Sequence, residues 1–399
     1  MTQNTDSDIT LHWFLPTYGD SRAIMAGGHG SGLHRGERTA DFGYLTQLAT
    51  AAERNGFESV LIPTGQWCAE AWQVASSLIA VTDTLKFLVA FRPGAVSPTL
   101  LAQQAATFQD LSGGRLAINV VVGGEDHEQR QYGDFLDKQQ RYERADEALE
   151  IAKTLWNEEA PLTFHGEYLD VENVSLARRP ATAPPVYIGG SSDPGIAVAA
   201  RRSDVYLTWG EPPEAAGEKI RKVQAQAAVE GRELEYGVRL HVIARATERE
   251  AWAKAQELLD GIDPEDVQRI QSGLARSQSE GQRRMTDLHG QGHEFEEGID
   301  AHDLEIYPGL WTGVGLVRGG AGTALVGSYE QVAALIDEYR EAGFTHFILS
   351  GYPHLEEAFE VGEGVVPALQ QQGITVKNHE ANNLDASQAQ AEQLVPFVS

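Results

Sequence analysis

Arg239 and His241 stand two apart in VRLHVI, a run that is otherwise apolar and β-branched, so they project from one face of a strand. A guanidinium and an imidazole on a buried strand need either an internal partner or a ligand. Both readings are open from the residues alone: an anion held by the arginine, or an arginine paired with an interior carboxylate beside a core histidine. Tyr352 and His354 in SGYPHLEEA follow another apolar run and could donate protons, or could simply form a turn before a helix. In GGSSDPG, Ser191 and Ser192 precede a helical pattern, where amides and hydroxyls suit a phosphate as well as an ordinary cap. Cys68, the single cysteine, could be a nucleophile, but no second local feature supports that and a small buried thiol is the commoner case, so covalent catalysis is not expected. His289, His293 and His302 occupy a glycine-broken acidic segment and suggest a solvated loop, with no metal expected.

One further group is unusual. GLVRGGAGTALVG, Gly315–Gly327, places Arg318 in a glycine-rich run with neither the dinucleotide-binding nor the P-loop spacing. A plain linker does not explain an arginine among apolar neighbours. The expectation is a mobile lid whose glycines let Arg318 close on a site and exclude water.

These groups are tied together by an alternating pattern. Short apolar runs at 9–15, 59–63, 85–91, 116–122, 185–190, 204–209, 236–244 and 344–350 read as buried strands. Helical patterns lie between them, several starting at Ser, Asp or Pro and ending at Gly. Eight strands alternating with helices point to an α/β fold, most simply a (β/α)8 barrel with insertions, and secondarily an open doubly wound sheet. In a barrel, the candidate groups fall at or beyond the C-terminal ends of strands, where barrel chemistry is built. The expected organisation is one domain over 1–373, with an insertion over 264–327 that includes the lid, and a polar tail over 374–399.

The chain has 31 Lys plus Arg against 58 Asp plus Glu, a formal net charge of −27, which argues against nucleic acid or an anionic membrane as a partner. An anion site must therefore be a local positive pocket. One cysteine and no long apolar run fit a cytoplasmic protein.

The strings FLPTYGD, LIPTGQWC, LKFLVA, YIGGSSD, YLTWGEPPE, RLHVI, GLVRGGAGTALVG and LSGYPHLEEA, taken together over about residues 10–370, strongly resemble the reduced-flavin-dependent alkanesulfonate monooxygenases of the bacterial luciferase-like superfamily. The resemblance implies a TIM barrel and a homo-oligomer, often a tetramer. It also implies a two-component system in which a separate NAD(P)H-dependent FMN reductase supplies FMNH2. With O2, the enzyme cleaves the carbon–sulfur bond of a sulfonate to give an aldehyde and sulfite. By the same resemblance Ser191, Ser192 and Tyr142 hold the flavin phosphate, with Asn119 and Val122 beside the ring. Trp209, Arg239, His241 and Arg318 gather the sulfonate, with Tyr352 and His354 nearby and Cys68 near the flavin. The resemblance casts Arg239 as proton acceptor; an ordinary guanidinium stays protonated, so a peroxide oxygen or His241 is the chemically easier choice. Three positions depart from the pattern: Tyr18 and Lys138, where relatives carry histidine, and Val122, where they carry threonine.

Overall fold

In the computed structural model, which describes residues 8–24, 27–28, 37–289 and 295–377, the eight runs form eight parallel strands. They are β1 (Thr10–Phe14), β2 (Ser59–Ile62), β3 (Lys86–Phe91), β4 (Leu116–Val120), β5 (Val186–Gly189), β6 (Val205–Trp209), β7 (Glu235–Arg245) and β8 (His346–Ser350). Each pairs with the next, and β8 pairs back onto β1 through Thr10 and His346, closing a (β/α)8 barrel.

Strand alternation sorts the residues. In β1, Leu11 and Trp13 face the helical layer, while Phe14 joins Leu61, Leu88, Ala117, Tyr187, Leu207 and Ile348 inside the barrel. The foot of the barrel is polar: the His12 ring bonds Ser59 Oγ at 2.7 Å and His346 Nδ1 at 2.9 Å. Helix ends obey local capping chemistry. Ser97 accepts from the Leu100 amide, Ser328 and Gln331 form a reciprocal capping box, and Gly113 closes its helix with φ of 66°.

Three features lie beyond the expected pattern. A hairpin, Leu162–His165 with Asp170–Val174, is short and largely exposed, so it carries little apolar signal. Ala324–Ser328, inside the glycine run, is a strand that extends the sheet by pairing parallel to His241–Arg245 of β7. The whole run from Gly315 to Gly327 is buried, and Arg318–Gly319 pairs with Gly27–Gly28. Arg318 is thus already inside the molecule, held by strand pairing. At the other end, Ile374–Lys377, grouped by sequence with the tail, bond to the barrel: Val376 bridges Ile9, and both Ile374 and Val376 are buried. Residues 378–399 lie outside the described residues. No helix among the described residues is long and apolar enough to cross a membrane.

Candidate active site

The C-terminal strand ends converge on a cavity of about 280 Å3. Its wall contains Asn119, Val122, Tyr142, Ser191, Ser192, Trp209, Arg239, His241 and Arg318, nine of the residues named from sequence. The roof comes from the insertion: Ser279, Glu280 and Gly281 at the start of the Glu280–His289 helix, and Arg318–Ala321. Gly281 lies so close over the Trp209 indole that an added Cβ would come within 3.1 Å of the ring. Gln282 Oε1 accepts from the Gly320 amide at 2.9 Å, attaching that helix to the Arg318 segment.

At one end two guanidiniums meet. Arg239 donates to the carbonyls of Leu240 at 2.7 Å and Ile348 at 3.4 Å, and lies 4.7 Å from the Phe14 ring centre. Arg318 donates to Tyr352 Oη at 2.8 Å and to the Tyr18 hydroxyl, and stacks 5.0 Å from the Tyr18 ring centre. Neither guanidinium reaches a carboxylate among the described residues. Burial, and then repulsion from Arg318, pushes Arg239 down to about 9. Burial works against the charge on Arg318 as well, but the tyrosine oxygens that it binds outweigh this and hold it above the ordinary arginine value. Two close, buried positive groups with neutral partners form an electrostatically unfilled site.

His241 is fixed between them. Its Nε2 faces the Ala321 carbonyl at 3.1 Å, an acceptor only, so Nε2 carries the hydrogen; Nδ1 then accepts from Ser350 Oγ at 2.8 Å. Burial, then Arg239 and Arg318, lowers its pKa well below the usual value, keeping the ring neutral. With both nitrogens engaged, His241 is a poor free base, whereas the lowered Arg239 is closer to one than an ordinary arginine.

The remaining three named residues do not reach the cavity wall. Tyr352 stands one layer back, stacked on His241 with ring centres 5.6 Å apart, and acts through Arg318. His354 is fully buried behind it, its Nδ1 and its amide both donating to the Asp20 carboxylate at 2.8 Å. Burial lowers the pKa of His354 despite that carboxylate, while His354 and Tyr44 overcome burial to hold Asp20 below the usual carboxylate range. Cys68 Sγ points to the carbonyls of Pro63 at 3.6 Å and Gly65 at 3.4 Å, and burial pushes its thiol up to about 12. A thiol in that state is no nucleophile at neutral pH, and Cys68 stands off the cavity wall. Its neighbour Trp67 lines the cavity, as do Leu61, Pro63 and Thr64 of the same run.

The other end has a different character. Ser192 caps the Asp193–Arg202 helix, yet its side chain makes no capping bond, and its buried Oγ has no well-formed hydrogen bond although the Tyr142 hydroxyl lies beside it. Gly190 has φ of 148°, and a Cβ there would meet the Tyr142 hydroxyl at 2.8 Å. An orphaned hydroxyl, open helix amides and a glycine that keeps the backbone bare are suited to an oxyanion of phosphate size.

Sequence reasoning missed Asp20 and the roof residues Ser279–Gly281. Both act across long chain separations that no local spacing encodes. Of the three histidines of the acidic segment, His302 stacks on Trp252 with ring centres 3.9 Å apart. The His289 side chain and His293 lie outside the described residues.

The model of the family described as luciferase-like monooxygenase matches residues 21–346. The chain belongs to that family. Among solved structures, a riboflavin lyase, RcaE, crystallised with modified FMN and riboflavin, is 19% identical with a TM-score of 0.75, each chain covered to 93%. EDTA monooxygenase, EmoA, from Chelativorans sp. BNC1 is 21% identical with a TM-score of 0.72, covering 92% of this chain and 94% of its own. DmoA from Hyphomicrobium sulfonivorans is 21% identical with a TM-score of 0.73, covering 93% and 90%. At these identities the likeness of this luciferase-like chain to each is one of fold.

Proposed function

We propose that this luciferase-like protein is a monooxygenase that uses FMNH2, delivered by a separate NAD(P)H-dependent reductase, and O2 to desulfonate a small alkanesulfonate. The observation that carries the reading is the pair of buried guanidiniums, Arg239 and Arg318, with no carboxylate against either among the described residues. A sulfonate offers a permanent charge and three acceptor oxygens, and guanidinium forks suit it. The balanced reaction converts RCH2SO3−, O2 and FMNH2 to RCHO, HSO3−, FMN and H2O.

The seryl end, with Ser191, Ser192 and Tyr142, would hold the flavin phosphate. Bound reduced flavin would supply the two electrons that activate O2. The protein's own groups do the rest. Arg318 and Arg239 hold the sulfonate oxygens and stabilise negative charge as sulfite departs. The carbon that bore sulfur must also lose a proton; Arg239 keeps its own while it holds the sulfonate, so that proton passes to oxygen and ends in the water of the balanced reaction. His241, neutral and held between Ser350 and Ala321, keeps the wall rigid without adding a third positive charge. The roof over Trp209 excludes water.

The test mixes anaerobic FMNH2 with a panel of sulfonates, admits air, and measures sulfite. Sulfite from at least one short sulfonate is the expected result. No sulfite from the whole panel, with turnover of carboxylate-bearing amines instead, would reassign the arginine pair to carboxylates and overturn the sulfonate reading.

A further inference from the structure

The foot of the barrel holds a chain of buried polar groups that the proposed chemistry does not use. His12 of β1 is two residues before Phe14, so the two side chains share the inner face; Phe14 meets the cavity and His12 does not. The chain runs from Ser59 on β2 to His12, on to His346 on β8, and out to the exposed carboxylate of Glu235 on β7, with separations of 2.7, 2.9 and 3.2 Å. Ser59, His12 and His346 are all buried. His12 and His346 belong to the first and last strands of the barrel, so the bond between them crosses the seam at which the sheet closes.

The carboxylate fixes every hydrogen along this chain. It only accepts, so His346 carries a hydrogen on Nε2, and in a neutral ring its Nδ1 accepts. His12 then donates from Nε2, and its Nδ1 accepts from the Ser59 hydroxyl. One added proton is taken up with every link kept. The hydrogen of the central bond passes from His12 Nε2 to His346 Nδ1, the added proton resides on His12 Nδ1, and Ser59 Oγ turns from donor to acceptor. The charge then sits on His346, against Glu235. A second proton would put hydrogens on both nitrogens of the central bond and set two buried cations against each other.

The surroundings favour one charge and no more. Glu235 faces His346, and Lys377 of the C-terminal segment acts on Glu235. On the other side Lys86 of β3, which pairs with Glu58, acts on His12. Tyr187 of β5 sets its ring edge-on to both imidazoles, and Glu58, Glu235 and Asp204 act on its phenol, which burial keeps neutral. Burial, then His346 and Lys86, hold His12 well below the usual imidazole value.

We infer that Ser59, His12, His346 and Glu235 form a one-proton clasp across the barrel seam, intact with one added proton or none and broken by a second. It makes closure of the barrel sensitive to acid, independently of anything bound in the cavity. In the unfolded chain His12 takes a proton near its ordinary value of 6.5, and in the folded chain it does not. The clasp's contribution to stability is therefore present above about pH 6.5 and lost as the pH falls below it.

The hydrogens are read directly in protein labelled with 15N-histidine, by long-range 1H–15N spectra from pH 8 toward acid. At pH 8 both rings should be Nε2–H tautomers. As the pH falls, His346 should become doubly protonated while His12 stays neutral and reverses to the Nδ1–H form. Two doubly protonated rings in the folded protein would overturn the inference, as would a His12 still in the Nε2–H form when the protein unfolds. A second measurement compares urea unfolding of wild type and His12→Gln, whose amide donates to His346 and accepts from Ser59 without titrating. His241 and His354 are also held low by burial and add the same pH slope to both proteins, so the difference reports the clasp. Between pH 6 and 5 the wild-type folding equilibrium constant should fall relative to the variant by up to about tenfold. A constant ratio would overturn the inference, and if His12→Gln does not fold, the wild-type spectra decide.

Discussion

The two ends of the cavity solve the problem of holding an anion in opposite ways. At the arginine end the positive charge is buried and faced by phenols and carbonyls; at the seryl end the donors are neutral hydroxyls and helix amides, with one half-buried ammonium. Burying two guanidiniums without a carboxylate costs folding free energy, which a compact anion offsets when it binds. Neutral donors cost less to leave unfilled. The arginine end is thus built for strong, charge-dependent grip at the expense of stability, and the seryl end for a ligand that can come and go.

The sharpest way to break this contrast is Arg239→Met. Sulfite release should fall on the order of 100-fold or more, as when an electrostatic stabiliser is removed. The melting temperature of the ligand-free protein should nevertheless rise, by about 2 °C, because an unpaired buried charge is gone. A large loss of stability would mean that Arg239 is a structural member of the barrel.

Next comes pH. Arg239 titrates at about 9, so its positive charge is present below that pH and lost above it. The KM for a sulfonate should rise up to about tenfold per pH unit above 9, while riboflavin affinity, which involves no anion, stays flat over the same step. A flat KM to pH 10 would remove the charge of Arg239 from the binding argument.

At the seryl end the effect is smaller. Ser192→Ala removes a hydroxyl that makes no internal bond, so thermal stability should not change, whereas FMN affinity should drop by about three- to tenfold. Loss of stability without loss of affinity would make the hydroxyl a cap after all. The smallest effect is expected outside both ends: Cys68→Ser should leave the sulfite rate within about twofold, since a thiol pushed up to about 12 contributes no thiolate at pH 7. A hundredfold loss would place Cys68 in the catalytic group.

All eight barrel strands were legible because each is a short apolar run bounded by turns, and a closed parallel barrel buries both faces of every strand. The i, i+2 spacing of Arg239 and His241 gave their shared face directly. What stayed hidden is long-range. The bond from Asp20 to His354 spans 334 residues, and nothing near either residue marks the other. In LIPTGQWC the sequence cannot say which of two neighbours turns inward; the structure sends Trp67 to the cavity and the Cys68 thiol to loop carbonyls. The glycine run suggests freedom because glycine is permissive in isolation. Its strand pairing with β7 and with Gly27–Gly28 is decided by partners far along the chain.

That last pairing has a consequence for how such proteins diverge. Arg318 and Gly319 align with Gly27 and Gly28, so the arginine's backbone is set by a segment that follows the first strand, some 290 residues away in the chain. A change of length or composition in that segment would be transmitted through two backbone pairings to the guanidinium, with the described cavity wall left as it is. Selectivity among relatives can then drift while every cavity residue stays the same. A comparison of cavity side chains alone would miss it.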